Sequence, residues 1–85
     1  MERTLKDLRP GRKGRVVRLD GEGALRRRLM DMGLTPGVEV FVRKVAPLGD
    51  PIELSLRGYE LSIRGDEARK IIIEEDRRRR WGHAG

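Results

Sequence analysis

The chain has 85 residues, of which 40% are charged, and a formal net charge of +6. A chain of this length forms one small domain, and the absence of cysteine excludes disulfides, thiolate metal sites and cysteine nucleophiles. No stretch approaches the roughly 20 apolar residues that cross a bilayer, and the charged amino terminus lacks the apolar core of a secretory signal. We therefore expect a cytoplasmic protein.

The first predicted elements are a strand that ends at residues 16–19 and a helix over residues 23–32. Pro10-Gly11 leads into the strand and suits a type II turn, because proline presets φ and glycine tolerates positive φ. Gly33 suits the position just past the end of the helix. One helical face carries an apolar stripe that we expect to pack on the core, formed by Leu25, Leu29 and Met32.

The other side of this helix is a candidate partner-binding face. Met30 lies there between Arg26 and Arg27. A flexible, polarizable side chain on a basic face suits contact with a protein partner. An ordinary exposed methionine is the alternative interpretation.

Alternation of apolar and polar residues predicts three more strands, over residues 38–42, 52–56 and 60–64. This period of two is typical of half-buried antiparallel strands, and Gly58-Tyr59 joins the last two of them as a tight hairpin. The β-branched residues 71–73 predict a short closing strand. Before it, residues 65–70 predict one helical turn with Asp66 as its N-cap.

Together these elements predict a mainly β fold. We expect a small SH3-like antiparallel barrel of about five strands, with a helical insertion between the first two strands and a helical turn before the last. Closure of the barrel removes exposed sheet edges; an open α+β sheet is the alternative. The predicted domain covers residues 1–75. Residues 76–85, with four consecutive arginines, predict a disordered basic tail, which could act as a spacer or contact phosphate or lipid.

The loop over residues 46–51 is a second candidate binding region. Two prolines surround an apolar leucine, and a stiff loop loses little conformational entropy on docking. Leu48 is therefore a candidate anchor for a partner, although it could instead fold back to cap the barrel. The candidate partner-binding residues of the whole chain are Arg26, Arg27, Met30, Pro47, Leu48, Gly49 and Pro51.

No catalytic, cofactor or metal site is predicted. Gly21 and Gly23 do not continue into a dinucleotide loop, because position 26 is arginine, and no phosphate-loop lysine follows. The single histidine, His83, lies in the tail, so neither Ser55 nor Ser62 has a histidine base within the predicted domain. The scattered carboxylates lack the spacing of a calcium loop. We expect a protein that is not an enzyme.

Several motifs, taken in their order and spacing, resemble the FeoA family over residues 4–75. They are LKDL at 5–8, PG at 10–11, Gly14, LRRRL at 25–29, MGLTPG at 32–37, APLGDP at 46–51 and RGYELSIR at 57–64. The resemblance implies an SH3-like barrel, a cytosolic location and a role in ferrous-iron transport. It also implies a partner, FeoB, which is a membrane permease with a cytosolic GTPase domain. The chain would contact the membrane only through this partner. The resemblance leaves open whether the chain would regulate the GTP cycle of the permease or support assembly of the transporter.

Three other functions compete with this one. A small basic barrel could bind nucleic acid through Arg26, Arg27 and Arg28, but the chain's three aromatic residues make a poor stacking platform. The same barrel forms the carboxyl-terminal module of DtxR-type metal-dependent repressors. No helix-turn-helix segment precedes it here, so we do not expect a repressor. An ordinary SH3 groove for proline-rich peptides is lined by aromatic residues, which this chain lacks.

Overall fold

The computed structural model describes residues 2–75, which form six antiparallel strands, two α-helices and one 3₁₀ helix. The strands pair in the order β1-β6-β2-β3-β4-β5. In chain order the elements are β1 (Glu2–Thr4), the 3₁₀ helix (Leu5–Asp7), β2 (Lys13–Leu19), α1 (Gly23–Asp31), β3 (Glu39–Val45), β4 (Ile52–Leu56), β5 (Tyr59–Ile63), α2 (Gly65–Ala68) and β6 (Ile71–Glu75). The predicted mainly β fold, with one helix inserted after its first long strand and a helical turn before its last strand, is confirmed.

Strand β1 was not predicted from the sequence. Its three residues, Glu2–Thr4, have no apolar alternation, so they carry no local strand signal. They become a strand because they pair with β6, where Arg3 lies opposite Ile73 and Thr4 opposite Ile72. The strand thus forms because of its pairing with residues that lie about 70 positions away in the chain.

Two irregularities bend the sheet. The register between β2 and β6 shifts between Val16 and Arg18, and the register between β3 and β4 shifts between Val42 and Lys44. Such bulges increase the local twist and turn a strand. The curved sheet surrounds one apolar core, whose largest fully buried side chains are Leu5, Leu29, Leu34, Ile52, Leu54, Ile71, Ile73, Val16, Val40 and Val42.

The turn between β4 and β5 is confirmed as a tight hairpin, one residue earlier than predicted. Its two central residues are Arg57 (φ 48°) and Gly58 (φ 84°), and Tyr59 already belongs to β5. Two successive residues with positive φ define a type I′ turn, which matches the right-handed twist of paired strands.

Helix α1 packs on the core through its predicted apolar stripe. Leu29 is fully buried, and Leu25 and Met32 pack against the core while remaining partly exposed. Gly33 follows the helix with φ +101°, as expected at this position. The Tyr59 hydroxyl donates a hydrogen bond to the Met32 carbonyl oxygen, which fixes the end of α1 to the β4–β5 hairpin.

The N-cap of α2 differs from the prediction. The cap is Arg64, not Asp66, because the helix already begins at Gly65. The Glu67 carboxylate accepts a hydrogen bond from the Arg64 backbone N–H at 2.8 Å and also pairs with the Arg28 guanidinium of α1. Glu67 is only 8% exposed, so one buried carboxylate both caps α2 and joins it to α1.

Replacing Glu67 with alanine is expected to lower the free energy of unfolding by about 2 kcal/mol, since the cap is lost and Arg28 loses its partner. Urea denaturation measures the change. The cost of removing both Glu67 and Arg28 should be smaller than the sum of the two single costs, because the two side chains form one pair. Additive costs would show that the pair does not couple α1 to α2.

Candidate partner-binding surface

The loop between β3 and β4, residues 46–51, holds Leu48 in solvent. The Gly49 N–H donates to the Ala46 carbonyl at 2.7 Å, and the Ala46 N–H donates to the Pro51 carbonyl at 3.1 Å. Gly49 adopts φ +86°, which residues with a Cβ rarely adopt. Leu48 lies at the tip of this closed loop and is 94% exposed. The alternative in which Leu48 folds back to cap the barrel is therefore wrong.

Lys6 fastens this loop to the rest of the molecule. Its Nζ donates to the Gly49 carbonyl at 3.3 Å, across 43 positions of sequence. Gly65 provides the space, because a Cβ at this position would lie 2.9 Å from Lys6 Nζ and 3.3 Å from the Gly49 carbonyl oxygen. Neither Lys6 nor Gly65 was predicted from the sequence to belong to this region. A lysine in a charged amino-terminal segment carries no local signal for so distant a contact.

Replacing Gly65 with alanine is expected to displace the Lys6 ammonium or the Gly49 carbonyl and so to loosen the loop. Amide hydrogen exchange at Gly49 should become several-fold faster, and the free energy of unfolding should fall by about 1 kcal/mol. Lys6→Met removes the donor and leaves Gly65 in place, so it should speed exchange at Gly49 in the same way. Unchanged exchange in both variants would contradict the role of Lys6 in holding the loop.

Helix α1 presents the second predicted region. Arg26 and Arg27 are exposed, and neither has an ion pair within residues 2–75. They remain candidate contacts for a partner. Their neighbour Arg28 is engaged with Glu67.

Met30 is half-buried and packs against the core, which corrects the expectation of an exposed side chain. The chain reverses direction just after it: the Gly33 N–H donates to the Met30 carbonyl at 3.0 Å, and the Leu34 N–H donates to the Leu29 carbonyl at 3.1 Å. A helical wheel shows only an isolated helix, so it does not show which residues of that helix contact the core of the folded chain. Met30 thus contributes to packing, and Arg26 and Arg27 form the exposed part of this face.

The two candidate regions both adjoin α2. The Gly49 carbonyl oxygen of the loop accepts a hydrogen bond from Lys6, whose Nζ lies beside Gly65 of α2. Arg28 of α1 pairs with Glu67 of α2. Within residues 2–75, no hydrogen bond or ion pair joins the loop directly to α1. The 46–51 loop and the exposed face of α1 are therefore two separate regions of the surface, and α2 adjoins both of them.

The described residues offer no group of three or more histidine, aspartate or glutamate side chains that could hold a metal ion. None of the helices between residues 2 and 75 is long and apolar enough to cross a membrane. His83 and the whole predicted tail, residues 76–85, lie outside the described residues. The surface of the described part instead combines a rigid apolar tip with a pair of exposed arginines, which suits binding to another macromolecule.

Comparison with known proteins identifies the family. The FeoA domain model matches residues 3–75. An Fe(2+) transport protein A/Fe(2+) transporter FeoB fusion protein of Porphyromonas gingivalis is 36% identical over 70 residues, which are 82% of this chain and 8% of the fusion protein. The solution structure of a FeoA-like protein from Clostridium acetobutylicum has a TM-score of 0.81 and 40% identity, over 87% of this chain and 86% of that chain.

The same fold recurs at lower identity. The crystal structure of Stenotrophomonas maltophilia FeoA, a prokaryotic SH3 domain protein, has a TM-score of 0.77 and 24% identity, over 89% of this chain and 98% of that chain. The predicted SH3-like architecture is thus confirmed, although the described strands form an open sheet of six and not a closed barrel of about five. Because the domain model covers almost every described residue, the chain belongs to the FeoA family.

Proposed function

We propose that this protein is a non-enzymatic accessory component of ferrous-iron uptake that docks on the cytosolic side of a FeoB-type permease. One observation carries the proposal: in the Porphyromonas gingivalis relative, the matching region and the Fe(2+) transporter FeoB belong to one fusion protein. Fusion gives two modules a high effective concentration for each other. Such an arrangement favours modules that bind one another.

The geometry supports docking through the 46–51 loop. Leu48 is almost fully exposed, and the hydrogen bonds of Ala46, Gly49 and Lys6 hold its backbone in place before any partner arrives. A held loop loses little conformational entropy on binding, and burial of one leucine side chain contributes about 2 kcal/mol. The loop therefore suits an apolar pocket on the partner.

The exposed arginines supply a second, electrostatic contact. Arg26 and Arg27 lie on α1 and have no ion pair within residues 2–75. Acidic residues on the permease would complement them, and rim charges of this kind chiefly raise the rate of association. A partner surface with an apolar pocket and nearby carboxylates fits both regions of this chain.

Co-purification with the full-length permease tests the proposal. We expect the 85-residue chain to be retained by a FeoB-type permease from the same source, purified in detergent with and without a non-hydrolysable GTP analogue. GTP hydrolysis measured with and without the chain then separates regulation of the GTP cycle from a role in assembly. Absence of retention in both nucleotide states would overturn the docking proposal.

A further inference from the structure

Strand β5 lies at one end of the sheet, and its outer edge is free within the described residues. Its single neighbour in the strand order is β4. The opposite edge strand, β1, has three residues, whereas β5 has five. Natural proteins commonly protect a sheet edge with proline, lysine, a bulge or a very short strand. Residues 59–63, YELSI, contain no proline or lysine, and the β4–β5 pairing has no register shift.

The hairpin register identifies which backbone groups face outward. Leu56 and Tyr59 flank the two-residue type I′ turn and form its hydrogen-bonded pair. Hydrogen-bonded pairs alternate with non-hydrogen-bonded ones along an antiparallel ladder. Leu61 and Ile63 therefore bond to β4, while the N–H and C=O groups of Glu60 and Ser62 point away from it. Neither of these N–H groups has a backbone partner elsewhere within residues 2–75.

The edge is complementary to a second copy of itself. In an antiparallel pair centred on Leu61, Glu60 of one copy lies opposite Ser62 of the other, and Tyr59 lies opposite Ile63. Glu60 and Ser62 are the residues with free backbone groups, so the two copies form four intermolecular hydrogen bonds. Leu61 meets Leu61 on the apolar side of the strand, and each carboxylate meets a hydroxyl on the exposed side. No like charges face each other, which favours pairing.

The side chains are already placed for this arrangement. Glu60 and Ser62 are exposed, and the Glu60 carboxylate is held by the Nε of Arg43 at 3.3 Å. Leu61 is half-buried in one copy and would lose further contact with water on pairing. We propose that two copies of this chain associate by antiparallel pairing of their β5 strands about a two-fold axis through Leu61, which makes one sheet continuous across both copies. This association does not depend on the proposed permease partner.

Sedimentation equilibrium of the full 85-residue chain tests the proposal. We expect a reversible monomer–dimer equilibrium between roughly 10 µM and 1 mM, the range in which small interfaces associate. Amide hydrogen exchange across the same concentrations should slow at Glu60 and Ser62. It should not change at Leu61, whose N–H already bonds to β4. A chain that stays monomeric throughout, or a dimer without slower exchange at Glu60 and Ser62, overturns the proposal.

Substitutions at Ser62 give a directional test. Ser62→Pro removes two of the four intermolecular donors and should weaken the dimer about tenfold or more. Ser62→Lys should tighten the dimer and Ser62→Glu should weaken it, because residue 62 faces Glu60 of the second copy. Ser62→Ala is the matched control and should change the dissociation constant by less than about threefold. If Ser62→Pro does not fold, the lysine and glutamate variants decide; equal dissociation constants for these two overturn the proposal.

Discussion

Replacing Leu48 with aspartate is expected to weaken binding to a FeoB-type permease by at least about tenfold, since an apolar anchor is replaced by a charge that the pocket must desolvate. The free energy of unfolding should stay within about 0.5 kcal/mol of the wild-type value, because a side chain that is 94% exposed contributes little to folding. Titration calorimetry with the purified permease measures the affinity, and urea denaturation measures the stability.

Leu48→Met is the matched control for this experiment. It keeps an apolar side chain of similar size, so it should retain binding within about threefold of wild type. Normal binding by the folded aspartate variant would show that the 46–51 loop is not the docking site. Absence of binding by the wild type would instead contradict association with the permease, so the two failures are distinguishable.

Replacing Leu29 with alanine is expected to lower the free energy of unfolding by about 3 kcal/mol, the typical cost of a cavity left by a buried leucine. Leu29 is the one fully buried side chain of α1. The variant should therefore loosen the whole helix, and exchange of the α1 amides should become faster. Thermal or urea unfolding measures the free energy of unfolding, and hydrogen exchange measures the opening of the α1 amides.

Met30→Ala serves as the comparison on the same helix. Met30 is half-buried, so its truncation should cost about 1 kcal/mol. A larger cost for Met30 than for Leu29 would mean that α1 is rotated about its axis relative to the arrangement described above.

The parts of the fold with a local signal were predictable from the sequence. Alternation over residues 52–56 predicted β4, and its buried residues Ile52, Leu54 and Leu56 follow the expected period of two. Gly33 marked the end of α1, since it adopts the left-handed conformation that glycine tolerates. Strand β1 and the Arg64 N-cap had no such signal. The strand exists because β6 pairs with it, and the cap exists because Glu67 reaches back to it.

The candidate site was also predictable only in part: its exposed loop had a local signal, and the contact that holds the loop did not. Two prolines beside an apolar residue indicated a stiff, exposed loop, and Leu48 lies in solvent as a docking residue must. The contact that holds the loop was not predictable, because Lys6 and Gly49 meet only after the chain has folded. The same limit explains Met30, which packs against the core of the folded chain, a contact that the periodicity of the helix alone does not show.

The pairing of β1 with β6 also determines where a covalent tether can be attached. Glu2 lies opposite Glu74, so the chain enters and leaves the described domain side by side, at the strand edge opposite β5. A linker to a larger protein at either terminus would therefore start from nearly the same point.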